Sequence, residues 1–277
     1  MLTQEEIKQA IIKAPSLPVV VIKALELLNN DDLNMSLLRK TIETDPVIAG
    51  RILSVANSSF YGMKFKVGNL NEAFMVLGIH TTRNIVLAAG AVGAFPPKTG
   101  HNLDLTSLWQ HAAGTAVTSK ILAKHTGHDA ETALIAGLLH NIGRMTLDAC
   151  LTNEYNKVIQ YRDSEDCLLL EAEKVVLGVD HGSIGSLLVE RWQLPDEIVE
   201  TVKNFSQPNV KNKNPLVDLV HVANIVCRGL EIGDAGDSLI PPLEPLSMQR
   251  LGLSITDIEN CLVEIDEAAT ASAALLT

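Results

Sequence analysis

Apolar residues recur along this chain at three- and four-residue spacing, which predicts helices rather than strands. Ile7, Ala10 and Ile11 share one face behind Thr3 and Glu6, a capping-box pair, and Pro15 ends that helix. Val21, Leu25 and Leu28 mark a second helix opening near Pro18, and Leu38 with Ile42 a short third, capped by Asn34 or Ser36. Asp45-Pro46 is a strong start, because an acceptor at the cap is followed by a residue whose missing N–H is not needed in the first turn. Ile48, Ile52, Leu53 and Val55 then form the buried face, and two further helices, 70–77 and 81–94, follow.

The stretch FPPKTGHNLD, residues 95–104, cannot continue a helix and reads as a linker. The expected organisation is an N-terminal helical subdomain over 1–95, a linker over 96–104 and a second helical subdomain over 105–277. In the second, the pattern predicts a long helix over 106–125 ended by Gly127, then one apolar helix over 129–145 capped by Asp129 and ending at Gly143. Helices over 152–162 and 165–177 come next, the latter stopped by Gly178. Asp180 caps a helix holding His181, Ile184, Leu187 and Leu188; Leu194-Pro195-Asp196 starts another, and 216–230 is a further one. Residues 231–245 read as a Gly/Pro-rich loop, and a closing helix starts at Ser254 or Thr256. Only short apolar runs such as VVVI leave helix and strand open, so the class is all-α, as two packed helical halves.

Composition narrows the function. Lys+Arg 22 against Asp+Glu 33 gives a net charge of −11 over 277 residues, which disfavours nucleic acid as a partner. The cysteines, Cys150, Cys167, Cys227 and Cys261, are scattered, which suits reduced thiols better than a disulfide framework or a cysteine-type zinc site. The N-terminus is charged and amphipathic rather than a signal peptide, and the apolar run 85–95 is too short to span a bilayer. A cytoplasmic protein without a membrane partner is expected.

The candidate chemistry lies in LLHNIGRM, residues 138–145. A His-Asn pair ending so apolar a helix must find polar partners inside the protein, since each unsatisfied group costs about 1–3 kcal/mol. This segment resembles the LLHDIGK motif of the HD superfamily of metal-dependent phosphohydrolases, with Asn141 where that family has a metal-binding aspartate. Upstream, residues 45–88, DPVIAGRILSVANSSFYGMKFKVGNLNEAFMVLGIHTTRNIVLA, are similar to the HDOD family, the HD-related output domain of bacterial signalling proteins. The resemblance implies a site of His111, His140, Asn141, His181 and Asn224, with Asn224 replacing a second aspartate. Phe205 and Ser206 stand where several relatives carry adjacent histidines.

A hydrolytic centre needs anionic ligands to offset the metal's charge, and amides supply none. No catalytic residue and no cofactor is therefore expected; His111, His140 and His181 could at most hold Zn, Fe or Mn. The alternative is a metal-free polar plug in which His140, Asn141 and Asn224 hydrogen-bond one another. Arg144 could face a phosphate or complement the end of the preceding helix. His221, one turn before Asn224, reads as packing, and His80, His101, His125 and His128 as solvated.

The leading expectation is a non-catalytic bacterial signal-transduction domain acting on a protein partner. The loop 60–69, with Tyr61, Lys64, Phe65 and Lys66, is a candidate contact surface, as is the cleft between the halves. The alternatives are a residual metal-dependent phosphohydrolase acting on a nucleotide or cyclic dinucleotide, and a metal-free nucleotide sensor. The length leaves no room for an attached input module.

Overall fold

The computed structural model describes residues 1–30, 32–58, 66–96, 103–237, 239–272 and 276, which form helices joined by turns with no strand among them. First come α1 (Gln4–Lys13), α2 (Val19–Leu28), α3 (Met35–Glu43), α4 (Pro46–Ala56) and α5 (Leu70–Ala94). After them run α6 (Leu105–Thr126), α7 (Ala130–Leu139), α8 (Ile142–Cys150), α9 (Thr152–Glu165), α10 (Leu169–Leu177) and α11 (His181–Arg191). The last are α12 (Asp196–Asn204), α13 (Pro215–Gly229), α14 (Pro245–Leu251) and α15 (Ile255–Ala271).

Local chemistry explains most starts and stops. Thr3 and Glu6 close the reciprocal box on α1, and Asn34 caps α3 by accepting the Leu37 N–H at 3.0 Å. Asp45 accepts from Val47 and Ile48 N–H at 3.0 and 3.2 Å, the kind of cap worth about 1 kcal/mol. Gly127 ends α6 in the left-handed region, as the sequence predicts. VVVI lies in α2.

Several expectations change. Leu53 is only half-buried, so α4 buries a narrower face than expected. α9 runs on to Glu165, and α10 starts at Leu169 rather than 165. Within 231–245 the chain is indeed irregular, but α14 follows it, with Glu244 as cap accepting the Leu246 N–H. The run 85–95 belongs to α5, which is long and apolar enough by composition to cross a membrane. It is in fact two helices meeting at Gly78, whose φ of 75° and ψ of 170° no helix contains, and Ile85 through Ala91 are buried inside the protein.

α6 forms the middle of the second half, flanked by α7, α13 and α15. Its small residues Ala112, Ala113, Gly114 and Ala116 are buried and let the neighbours approach closely. One apolar core runs from Leu38 and Ile52 through Leu138 to Ile184. α1 packs on α8 and α11 rather than only on its sequence neighbours. Leu2 N donates to Leu177 O at 2.7 Å, Arg191 Nη1 to Ala14 O at 3.0 Å and Trp192 Nε1 to Pro15 O at 3.3 Å.

Candidate functional site

The stretch 129–145 is two helices, not one. Asp129 caps α7, which stops at Leu139; His140 and Asn141 form the turn, and α8 begins at Ile142. Gly143 therefore ends nothing. It sits in the first turn of α8, where a Cβ would lie 1.8 Å from His181 O, and Gly185 faces it. This close approach of α8 to α11 sets His181 beside the His140–Asn141 turn.

Each imidazole is buried and oriented from behind. His140 Nδ1–H donates to Gly137 O at 2.6 Å, leaving Nε2 without a partner. His181 Nδ1–H donates at 2.6 Å to Glu173 Oε2, which also accepts the His181 backbone N–H at 2.8 Å, and again Nε2 has no partner. Glu173 is fully buried and accepts from Tyr155 Oη at 3.2 Å. His111 Nε2 lies 2.9 Å from Asn224 Oδ1, and Nδ1 lies 3.1 Å from Ile232 O. Burial, with Arg228 adding to it, lowers the His111 pKa to about 4, so its ring is neutral and donates only one of these bonds. Burial and the neighbouring His111 hold His140 well below the usual histidine value.

Phe205 packs against two of these rings. Its ring stands edge-on to His140 with centroids 4.8 Å apart, and 5.8 Å from His181. His221 anchors it, because Nδ1–H donates to Phe205 O at 2.8 Å while Nε2 accepts the Glu244 N–H at 2.9 Å. That pair of bonds fixes one neutral tautomer, and burial keeps the His221 pKa below its usual value.

Positive charge borders the same site. Arg144, in the first turn of α8, donates to Ala235 O and lies 3.9 Å from Asp237 Oδ2. Arg228 on α13 pairs with Asp237 Oδ1 and donates to Leu239 O at 2.7 Å. Burial alone would raise the Asp237 pKa, but Arg144 and Arg228 together outweigh it and hold it below the usual carboxylate range. A cleft of about 130 Å³ opens here, lined by both arginines, His181, Phe205 and Asn224.

Residues 14–208 match the HDOD domain family. The chain belongs to that family. It is similar to an uncharacterized protein of Treponema pallidum (strain Nichols), 26% identical over 221 residues, which are 78% of this chain and 42% of that protein. The chain thus spans less than half the length of that relative. A solved putative phosphohydrolase from Shewanella amazonensis SB2B superposes with a TM-score of 0.79 at 23% identity, over 98% of both chains. A putative signal transduction protein from Marinobacter aquaeolei VT8 superposes at 0.76 and 21% identity, over 99% of this chain and 66% of that one. At these identities the structures establish the HDOD fold alone.

The HD ancestry of this family implies a divalent metal, and the residues present do not fit one. Among the described residues no group of three or more His, Cys, Asp or Glu could hold a metal ion. Asn141 and Asn224 bring neutral amides rather than carboxylates, and Asn224 is held against His111. Arg144 and Arg228 bring cations to the place where a metal's charge would have to be offset.

The predicted site residues thus divide. His111, His140 and Asn224 do come together with Phe205, and His181 joins them through that ring. The expected plug of His140, Asn141 and Asn224 does not form: Asn224 pairs with His111, while both polar atoms of the Asn141 side chain lack partners. Arg144 lies at a helix start, so it complements no helix C-terminus. His80 and His125 are exposed and His128 half-buried. Tyr61, Lys64, Phe65 and His101 lie outside the described residues, and Lys66 is exposed. Sequence reasoning missed Glu173, Arg228 and Asp237. Arg228 was findable, four residues after Asn224 and so one helical turn along; the other two give no local signal.

Proposed function

We propose that this HDOD chain is a regulatory domain that acts by holding a protein partner and catalyses no phosphoester hydrolysis at its HD site. The observation that carries the reading is the Phe205 ring, seated against His140 and His181. A phenyl ring offers neither a ligand nor a base, and it excludes the water a hydrolase must activate. The name of the Marinobacter aquaeolei neighbour, a putative signal transduction protein, agrees with this role. Exposed apolar side chains on α4 and α5, Val47, Met75 and Ile79, flank the predicted contact loop in sequence and suit a protein surface.

The residual phosphohydrolase has one observation in its favour: His140 and His181 keep unpartnered Nε2 atoms in the tautomer that ligates metal. Metal content by mass spectrometry on protein purified without a metal-affinity column separates the two readings. The expected result is substoichiometric metal in the natural chain, with metal gained in the triple variant Asn141→Asp, Phe205→His, Asn224→Asp. Stoichiometric metal that disappears in His140→Ala, accompanied by phosphodiester turnover, would overturn the proposal. Partner binding is checked by capture with the natural chain and with Met75→Asp/Ile79→Asp; identical capture by both would remove this surface from the reading.

A further inference from the structure

The two arginines bordering the cleft are held by a carboxylate of the chain itself. Asp237 Oδ1 accepts from Arg228 Nη1, and Oδ2 lies 3.9 Å from Arg144 Nη2 and accepts the Leu169 N–H at 3.3 Å. Leu169 is the first residue of α10, so the carboxylate meets one first-turn N–H and the positive end of a nine-residue helix. Two guanidiniums and a helix N-terminus make a donor set suited to phosphate. Two further atoms point to a ligand independently of the helix. Arg144, 4% exposed, leaves Nε without a partner, and His181, 1% exposed, does the same with Nε2. Both residues line the one cleft, whose other wall, including Phe205, Leu170 and Pro242, is apolar.

We infer that this is a site for a small organic phosphate monoester, which Asp237 occupies from within the chain and which the ligand takes by replacing that carboxylate against Arg144, Arg228 and the Leu169 N–H. Charge favours replacement over addition. Asp237 offsets one of the two guanidiniums, and Glu171 on the rim supplies a second negative charge, so a phosphate dianion is attracted only once Asp237 withdraws. His181 complements the ligand's other groups. With Nδ1–H given to Glu173, its Nε2 accepts from a ligand hydroxyl or amine. Withdrawal of Asp237 must release the bonds that Arg144 and Arg162 give to Ala235 O and Gly236 O. It leaves the base of the segment in place, because Ile232 N–H on Cys227 O and Asp234 N–H on Ser107 O do not involve Asp237. Gly236, at a φ of +89°, is the residue about which the chain can turn there.

The inference rests on the cleft being free of metal, so metal content is measured on the same samples and the two ideas fail separately. The probe is adenosine 5′-monophosphate, with adenosine and sodium chloride at matched ionic strength as controls, read by calorimetry. Asp237→Asn is expected to bind the monophosphate about ten-fold more tightly, since the internal competitor is gone. Adding Arg228→Gln to it should remove binding. Hydrogen exchange on the natural chain keeps the test open if a variant folds poorly: the monophosphate should speed exchange of the amides of residues 235–237 while raising the unfolding temperature. No saturable binding by Asp237→Asn with unchanged exchange in the natural chain, or equal effects from adenosine or chloride, would overturn the proposal.

Discussion

The ring of Phe205 meets the imidazole of His140 edge to face, with centroids 4.8 Å apart and an interplanar angle of 84°. Edge-on contacts of this kind add about 0.5–1.5 kcal/mol to simple burial for aromatic pairs. The same ring also packs on His181, with centroids 5.8 Å apart, and the Phe205 backbone carbonyl accepts from His221. Phe205 therefore serves here as packing.

Phe205→Ala should lower the unfolding free energy by about 3–5 kcal/mol, the range for emptying a buried aromatic site. Urea denaturation measures it. A loss under 1 kcal/mol would mean that the ring is not the keystone of this cluster.

Gly143→Ala should be poorly tolerated although alanine is the better helix former. The added methyl would lie 1.8 Å from His181 O, which is backbone and cannot rotate away, so α8 and α11 must separate. Overpacking of this kind costs about 1–3 kcal/mol or more, and the separation would be seen as altered chemical shifts at His181. An unchanged melting temperature would contradict the packing described.

Stability should fall as pH drops from 6.5 towards 4. His111, His140 and His221 all have folded-state pKa values below the ordinary histidine value, His111 at about 4. In that window the unfolded chain binds protons that the folded chain refuses, so the stability present above pH 6.5 is lost on acidification. For His111 alone the loss is roughly 3 kcal/mol by pH 4. Denaturant titrations at pH 7 and pH 4.5 test this, and the His111→Phe variant should show a shallower slope. A flat profile would mean that these imidazoles titrate normally.

The sequence by itself determined most of the helices and those of their ends that depend on residues within a turn of one another. Asp45 before Pro46, Thr3 with Glu6, and Gly127 after Thr126 all act locally, and the structure shows each cap in place. It also placed His111, His140 and His181 in one neighbourhood, through a family resemblance that the HDOD match supports. The helix break at His140–Asn141 was hidden, since Gly143 looks like a stop signal when its real constraint is the carbonyl of His181 on another helix. Only tertiary structure decided what the polar groups do. His111 finds Asn224, His181 finds Glu173 and Arg228 finds Asp237. The first pair joins helices far apart in sequence, and the other two depend on where a loop turns. Periodicity reports which face of a helix is buried; it carries no information on which neighbour that face meets.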